Sequence, residues 1–85
     1  MKLLSINAFK DYSFNRKCDV VTIYSNYIMS REIPNGKAYL YHTGSFFIEV
    51  QYSSAQRKVH GIHAFNDMPQ LYAYADMISL ADLGL

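Results

Sequence analysis

The sequence predicts an α+β fold, in which short helices flank a four-stranded antiparallel β-meander within a single domain spanning residues 1–85. Three chain reversals predict the meander, at residues 33–37, 43–44 and 53–56. Apolar residues at helical spacing before the meander, and a helix-capping pattern after it, place helices at both ends of the chain.

Two helical segments are predicted ahead of the sheet. Residues 3–10 are compatible with a helix or a strand, and we favour a helix. Residues 14–25 follow Ser13, a good N-cap, and their apolar residues recur at helical spacing. This pattern predicts a second helix, ended by Asn26 in the left-handed conformation. The alternative is a strand at residues 20–24, because Val-Val-Thr-Ile-Tyr is β-branched and aromatic.

The four predicted strands follow from the turns between them. Pro34 suits the second position of a type I turn, and Gly36 suits its fourth position. Thr43 and Gly44 predict a two-residue hairpin loop. The predicted strands span residues 27–33, 37–43, 45–53 and 57–65.

A C-terminal helix is predicted from a capping pattern. Asp67 is a good N-cap, Pro69 is tolerated in the first turn, and Gln70 completes a capping-box spacing. The expected apolar stripe is Leu71, Tyr74 or Ala75, and Ile78, and a second short turn at residues 80–83 ends at Gly84. We expect the helix to pack on one face of the sheet, the face that forms the core.

Pairing across the turns sorts the strand residues onto two faces. The second reversal places His42 opposite Ser45, and the third places Tyr52 opposite Arg57. The predicted core face holds Tyr39, Tyr41, Phe46, Ile48, Val50, Tyr52, Val59, His63 and Phe65, with Gly61 leaving room for a bulky neighbour. The second face holds Ala38, Leu40, Phe47, Glu49, Gln51, Lys58, His60 and Ile62.

An apolar row on the second face is the candidate partner-binding site. Leu40, Phe47 and Ile62 line up across three strands, flanked by Glu49 and His60. Each large apolar side chain left in water forgoes about 1.5–3 kcal/mol of burial free energy. We therefore expect the row to be covered, either by the N-terminal segment of the chain or by another protein, which includes a second copy of the chain in a homodimer.

The charge balance argues against a dedicated nucleic-acid binder. The net charge is +1, and all eight Lys and Arg lie in residues 1–65, whereas residues 66–85 hold three Asp and no base. An RNA-contacting toxin or regulator is the alternative, because tyrosines beside positive charge suit base stacking. The candidate residues are Lys37, Arg57 and Lys58, beside Tyr39 and Tyr41, although the face map places both tyrosines under the helices.

The ionisable side chains offer one weak candidate for catalysis. Glu49 opposite His60 is the only credible acid–base pair, and an acid–base enzyme at these residues is the second alternative. His60 and His63 alternate on one strand and point to opposite faces, so no metal site and no cofactor are expected. Cys18 is the only cysteine, which excludes an intrachain disulfide, and its place on the helical stripe predicts a small core residue.

No residue pattern carries a catalytic or ligand signature, so the expected function is that of a small non-enzymatic protein-interaction module. The start Met1-Lys-Leu-Leu is interrupted by Asn7, Lys10 and Asp11 before a signal-peptide core forms. No apolar run approaches the ~18 residues needed to span a bilayer. We therefore expect a cytoplasmic protein that does not bind membranes.

Three parts of the chain carry a resemblance: residues 39–52 (Tyr-Leu-Tyr-His-Thr-Gly-Ser-Phe-Phe-Ile-Glu-Val-Gln-Tyr), His63-Ala-Phe65 and residues 72–83. Together they resemble small bacterial proteins of unknown function. In those proteins a hairpin of Phe-Val-Glu-Val type precedes a short strand and a terminal helix. The resemblance implies a fold and supplies no activity.

Overall fold

Two short helices begin the part of the chain that the computed structural model describes, residues 4–74. They are α1, Ile6–Lys10, and α2, Phe14–Tyr24. The Ser13 hydroxyl caps α2, because it accepts a hydrogen bond from the backbone N–H of Arg16 at 3.2 Å. The second predicted helix is confirmed, and the strand alternative for residues 20–24 is wrong. No helix within the described range is long and apolar enough to cross a membrane.

The four predicted strands form one antiparallel sheet. They are β1, Asn26–Ile33; β2, Gly36–His42; β3, Phe47–Ser53; and β4, Lys58–Phe65. The strands pair in chain order, β1-β2-β3-β4, which confirms the meander. Asn26 lies in β1, so the prediction that it ends α2 in the left-handed conformation is wrong. Ser25 ends the helix instead, in an extended conformation with φ of −135°.

The β1–β2 turn needs two unusual backbone positions. Asn35 has a φ of 67°, a left-handed conformation that asparagine tolerates better than most residues. Gly36 begins β2 where an added Cβ would collide with the carbonyl oxygen of Tyr52. Glycine is required there because the backbone of β3 approaches closely.

The β2–β3 loop has four residues rather than the predicted two. The Thr43 hydroxyl accepts hydrogen bonds from the N–H groups of Ser45 at 3.2 Å and Phe46 at 3.3 Å, which stabilises a wider reversal. His42 therefore lies opposite Phe47 instead of Ser45. Because a shift of two residues keeps every side chain on its own face, the predicted faces of β2 and β3 are confirmed.

A bulge in β4 inverts the faces of its last residues. Tyr52 lies opposite Val59, as expected for the core face, whereas Gln51 lies opposite Gly61. His60 is thus an extra residue in β4, and one extra residue reverses the alternation that follows it. The side chains that point to the face opposite the predicted one are Ile62, His63 and Phe65.

Helices α1 and α2 cover one face of the sheet, which we name the helical face. Its buried core consists of Phe9, Val20, Val21, Phe46, Ile48 and Val50. The Phe9 and Phe46 rings lie 5.5 Å apart between centroids, so the first helix and the β2–β3 loop interlock. Cys18 is half-buried and lies outside this fully buried set.

The chain after β4 covers the opposite face, which we name the Glu49 face. Helix α3, Met68–Leu71, leads into a 3₁₀ turn, Tyr72–Tyr74. The buried residues on this side are Leu40, Phe47, Phe65, Leu71 and Tyr74. The expectation that the C-terminal helix packs on the core face is therefore wrong for residues 68–74, and its continuation to Ile78 and residues 80–83 lies outside the described residues.

Candidate functional site

The predicted partner-binding row does not form. Leu40 and Phe47 share the Glu49 face, but Ile62 points to the helical face and packs against its core. Leu40 is 0% exposed and Phe47 is 3% exposed, because Leu71 and Tyr74 lie over them. The chain itself thus covers the surface that the sequence assigned to a partner.

A buried carboxylate lies at the centre of the Glu49 face. Glu49 is buried, and its Oε1 accepts a hydrogen bond from Nε2 of Gln51 at 2.9 Å. Its Oε2 accepts a hydrogen bond from the hydroxyl of Tyr74 at 2.7 Å and another from Nη2 of Arg31 at 3.4 Å. Burial of a carboxylate is tolerated here because several donors and one positive charge surround it.

The Tyr74 ring is fixed from two sides. Its hydroxyl donates to Glu49, and the guanidinium carbon of Arg31 lies 5.2 Å from the ring centroid, within cation–π range. Burial, followed by the hydrogen bond to Glu49 and the charge of Glu49, raises the pKa of Tyr74 well above its ordinary value of 10.0. Tyr74 therefore remains a hydrogen-bond donor at physiological pH.

The predicted acid–base pair is not assembled. The register places Glu49 opposite His63, while His60 lies in the β4 bulge, exposed to solvent. The His63 ring lies over Gly61, since an added Cβ there would be 2.8 Å from Nε2 of His63. The room that Gly61 was expected to leave is thus taken by a histidine of its own strand.

The arrangement around Glu49 suits a structural role, in which the carboxylate holds the chain after β4 against the sheet, better than it suits proton transfer. Both carboxylate oxygens accept hydrogen bonds, and the donors come from β1, β3 and the chain after β4. A hydrogen bond to a charged group contributes about 1.5–3 kcal/mol, and each fully buried Leu-sized side chain about 1.5–3 kcal/mol. Tyr74 and Leu71 therefore both contribute to the attachment of this segment to the sheet.

Sequence reasoning missed Arg31 and Tyr74 as partners of Glu49. The face map stopped at β2, although extending it to β1 places Arg31 opposite Ala38, on the same face as Glu49. That extension was available from the β1–β2 turn alone. Tyr74 could not be found in this way, because no local pattern says which face a C-terminal segment covers.

A second cluster lies on the opposite side of the molecule, at the junction of α2 and β1. Ile23, Tyr24 and Tyr27 are 66%, 64% and 55% exposed. The Tyr27 ring contacts those of Tyr41 and Tyr39, with centroids 5.7 Å and 6.4 Å away. We name Ile23, Tyr24, Tyr27, Tyr39 and Tyr41 the aromatic surface.

The tyrosines of β2 are half-buried rather than covered by the helices. Burial, then the neighbouring Tyr27 and Tyr39, raises the pKa of Tyr41 above its ordinary value. Each ring therefore has one side against the core and another side open to solvent. Such an arrangement suits contact with a second molecule, because tyrosine presents an apolar body with a polar tip.

An open groove continues from the aromatic surface between the two helices. It has a volume of about 1130 Å³ and is bounded by α1, α2 and the β2–β3 loop. Leu4, Ala8 and Tyr12 line one wall, and Val20 and Ile23 line the other. An open groove lined by two helices suits an extended or helical segment of a partner.

The candidate nucleic-acid residues are dispersed. Lys37 lies on the same strand face as Tyr39 but forms an ion pair with Glu32 at 3.6 Å. Arg57 sits in the β3–β4 turn with a φ of 54°, and Lys58 is exposed at the start of β4. The three cations therefore do not surround the tyrosine rings.

Within residues 4–74, no group of three or more His, Cys, Asp or Glu side chains is placed to hold a metal ion. Neither a protein-family model, nor a curated protein, nor a solved structure matches the chain.

Proposed function

We propose that the chain is a non-enzymatic protein-interaction module and that it binds its partner through the aromatic surface. The observation that carries the proposal is the exposure of Ile23, Tyr24 and Tyr27, three large apolar residues that lie close together in sequence at the α2–β1 junction. Aromatic residues that combine exposure with partial packing are enriched at protein interfaces and dominate their binding energy. The groove between α1 and α2 extends this surface.

The grouping of the exposed apolar residues supports a specific surface. Single exposed apolar side chains are ordinary, whereas adjacent ones mark interaction sites. Of the five large apolar residues exposed within the described chain, three belong to the aromatic surface. The other two are Phe14, at the start of α2, and Tyr72, beyond β4.

The sheet edges support contact through a face rather than through strand addition. Both edge strands are bulged, at Ile28 in β1 and His60 in β4. Charged residues also lie along the edges, including Arg31, Glu32 and Lys58. Bulges and charges at edges oppose edge-to-edge pairing.

The predicted C-terminal helix has a structural part in this proposal. Leu71 and Tyr74 support its packing on the Glu49 face, where they cover Leu40 and Phe47. A helix in that position closes the Glu49 face and leaves the aromatic surface for the partner.

RNA contact through the same tyrosines is the second candidate function, and the charges around them support it less well. Base-stacking platforms pair their rings with positive charge that follows the nucleic-acid backbone. Here Lys37 is paired with Glu32, and the whole chain carries a net charge of only +1. The exposed apolar Ile23 also fits a protein partner better than a phosphate backbone.

Site-specific photo-crosslinking tests the proposal. Benzoylphenylalanine replaces Tyr24 in one variant and Phe14 in a matched control, since both are exposed aromatic residues of α2, at 64% and 51%. We expect a discrete adduct from position 24 alone, and its loss when Ile23→Asp is added. The adduct's mass distinguishes a second copy from a different protein. No adduct, or equal adducts from both positions, would contradict the proposal.

A further inference from the structure

The segment Met68–Tyr74 is attached to the sheet by two buried side chains. Leu71 is 1% exposed and Tyr74 is 0% exposed, and both pack on Leu40, Phe47 and Phe65. Tyr72, between them, is 59% exposed. The segment thus packs on the Glu49 face through two side chains three residues apart, the apolar Leu71 and the phenol of Tyr74.

The surface that receives this segment is made of sheet residues. Gln51 and Arg31 belong to the sheet, and they already hold the two carboxylate oxygens of Glu49. The stacked Phe47 and Phe65 rings, 5.6 Å apart between centroids, form the apolar floor. We name this set, Leu40, Phe47, Glu49 and Phe65, the receptor.

The connection between β4 and the segment is short and exposed. Only Asn66 and Asp67 separate Phe65 from Met68, and both are exposed to solvent. The side chain of Gln70, in the segment, donates a hydrogen bond to Asp67, the second residue of the connection, and leaves Asn66 free of it. Rotation at these two residues therefore frees the segment without breaking a strand pairing of β4.

We propose that Met68–Tyr74 is exchanged between two copies of the chain. In the resulting dimer, Leu71 and Tyr74 of each copy occupy the receptor of the other, and the Tyr74 hydroxyl donates to Glu49 across the interface. An emptied receptor exposes Leu40 and Phe47 and deprives Glu49 of a donor. A second copy carries the one segment already shown to satisfy the receptor, which makes exchange a low-cost route to a dimer.

Shortening the connection provides the first test. Deleting Asn66 and Asp67 removes about 7 Å of reach, so Leu71 and Tyr74 can no longer return to their own receptor. We expect this full-length variant to sediment as a dimer, and wild type refolded at high concentration to give a smaller dimer fraction. A deletion variant that is folded by circular dichroism and monomeric would overturn the proposal. If the deletion variant is unfolded, the refolded wild type decides, and a wholly monomeric wild type would overturn the proposal.

The identity of the exchanged contacts provides the second test. Dimers made from isotope-labelled and unlabelled copies should give intermolecular nuclear Overhauser effects between the Tyr74 ring and the Phe47 ring. A dimer in which these contacts are only intramolecular contradicts exchange. Leu71→Asp should abolish the dimer, whereas Tyr24→Ser should leave it unchanged, which separates this proposal from binding at the aromatic surface.

Discussion

The two faces of the sheet are closed by different kinds of contact. On the helical face, Phe9 and Phe46 interlock with Ile48 in a continuous apolar core. On the Glu49 face, the cover consists of Leu71 and Tyr74, and it is fastened by a hydrogen bond to a buried carboxylate. We therefore expect the helical face to open only with global unfolding, and the cover of the Glu49 face to open separately.

This difference has a consequence for where a partner can bind. A carboxylate held by several donors fixes the position of an incoming phenol, so the Glu49 face is specific for its cover. The helical side instead ends in the exposed rings of Tyr24 and Tyr27, which need no displaced segment. In the structure the helical side thus presents exposed side chains, whereas Leu40 and Phe47 of the Glu49 face are covered.

The largest effect is expected on the helical face. Phe9→Ala removes a fully buried ring and should cost about 3–5 kcal/mol of the free energy of unfolding. Because that ring belongs to α1 and packs against the β2–β3 loop and the core of the sheet, its loss should destabilise the whole domain in one transition. Urea unfolding followed by circular dichroism measures this loss, with Phe14→Ala, a 51% exposed residue of α2, as the control. Equal losses in the two variants would contradict the interlocked core.

A smaller and more local effect is expected on the Glu49 face. Tyr74→Phe keeps the ring and removes the hydroxyl, so it should cost about 1.5–3 kcal/mol of attachment free energy. The loss should appear in the amide hydrogen exchange of residues 68–74 and leave α2 protected. Tyr72→Phe, at an exposed position, is the matched control. Equal acceleration in α2 and in the segment would show that the two faces are not independent.

The contrast between the faces also explains what the sequence could predict. Turns and caps are local, so residues 33–37 and Ser13 located the first turn and α2 correctly. The faces of β2 and β3 were predicted correctly although the loop length was wrong, because an error of two residues in register keeps each side chain on its own face. The bulge at His60 then turned Ile62 to the helical face and removed it from the candidate row, since no periodic pattern marks a bulge.

The buried network around Glu49 was beyond the reach of pattern reasoning for a second reason. Its members lie far apart in the chain, and the sequence predicted Glu49 to be an ordinary cross-strand partner of His60. Only the fold brings Arg31 and Tyr74 to one carboxylate. The exposure of Tyr39 and Tyr41 was misjudged similarly, because the helices cover the helical face only in part.

Alkaline pH should loosen the Glu49 face in wild type. The pKa of Tyr74 is raised in the folded chain, so the folded state binds the phenolic proton more tightly than the unfolded state does. Its contribution to stability is then fully present below about pH 10 and is lost as the pH rises towards the folded value. The methyl signals of Leu71 should shift in this range, and they should stop doing so in Tyr74→Phe. Tyr41→Phe, on the other face, should retain the shift, and its loss there would contradict the assignment to Tyr74.

The smallest effect on stability is expected at the aromatic surface. Ile23→Asp alters a 66% exposed side chain and should change the free energy of unfolding by no more than about 0.5 kcal/mol. Chemical denaturation should therefore be almost unchanged while the crosslink at position 24 disappears. Val20→Asp, three residues earlier and buried, provides the contrast, because it should unfold the domain. A large destabilisation by Ile23→Asp would mean that this residue is part of the core.

Native-state thiol labelling compares the two faces most directly. Leu40→Cys and Ile48→Cys, each combined with Cys18→Ser, place one thiol on each face at positions that are both 0% exposed. We expect the thiol at position 40 to react through opening of residues 68–74, faster than global unfolding and with little dependence on urea. The thiol at position 48 should react only at the rate allowed by global unfolding. Equal labelling at both positions, with the full urea dependence of unfolding, would contradict a separately removable cover on the Glu49 face.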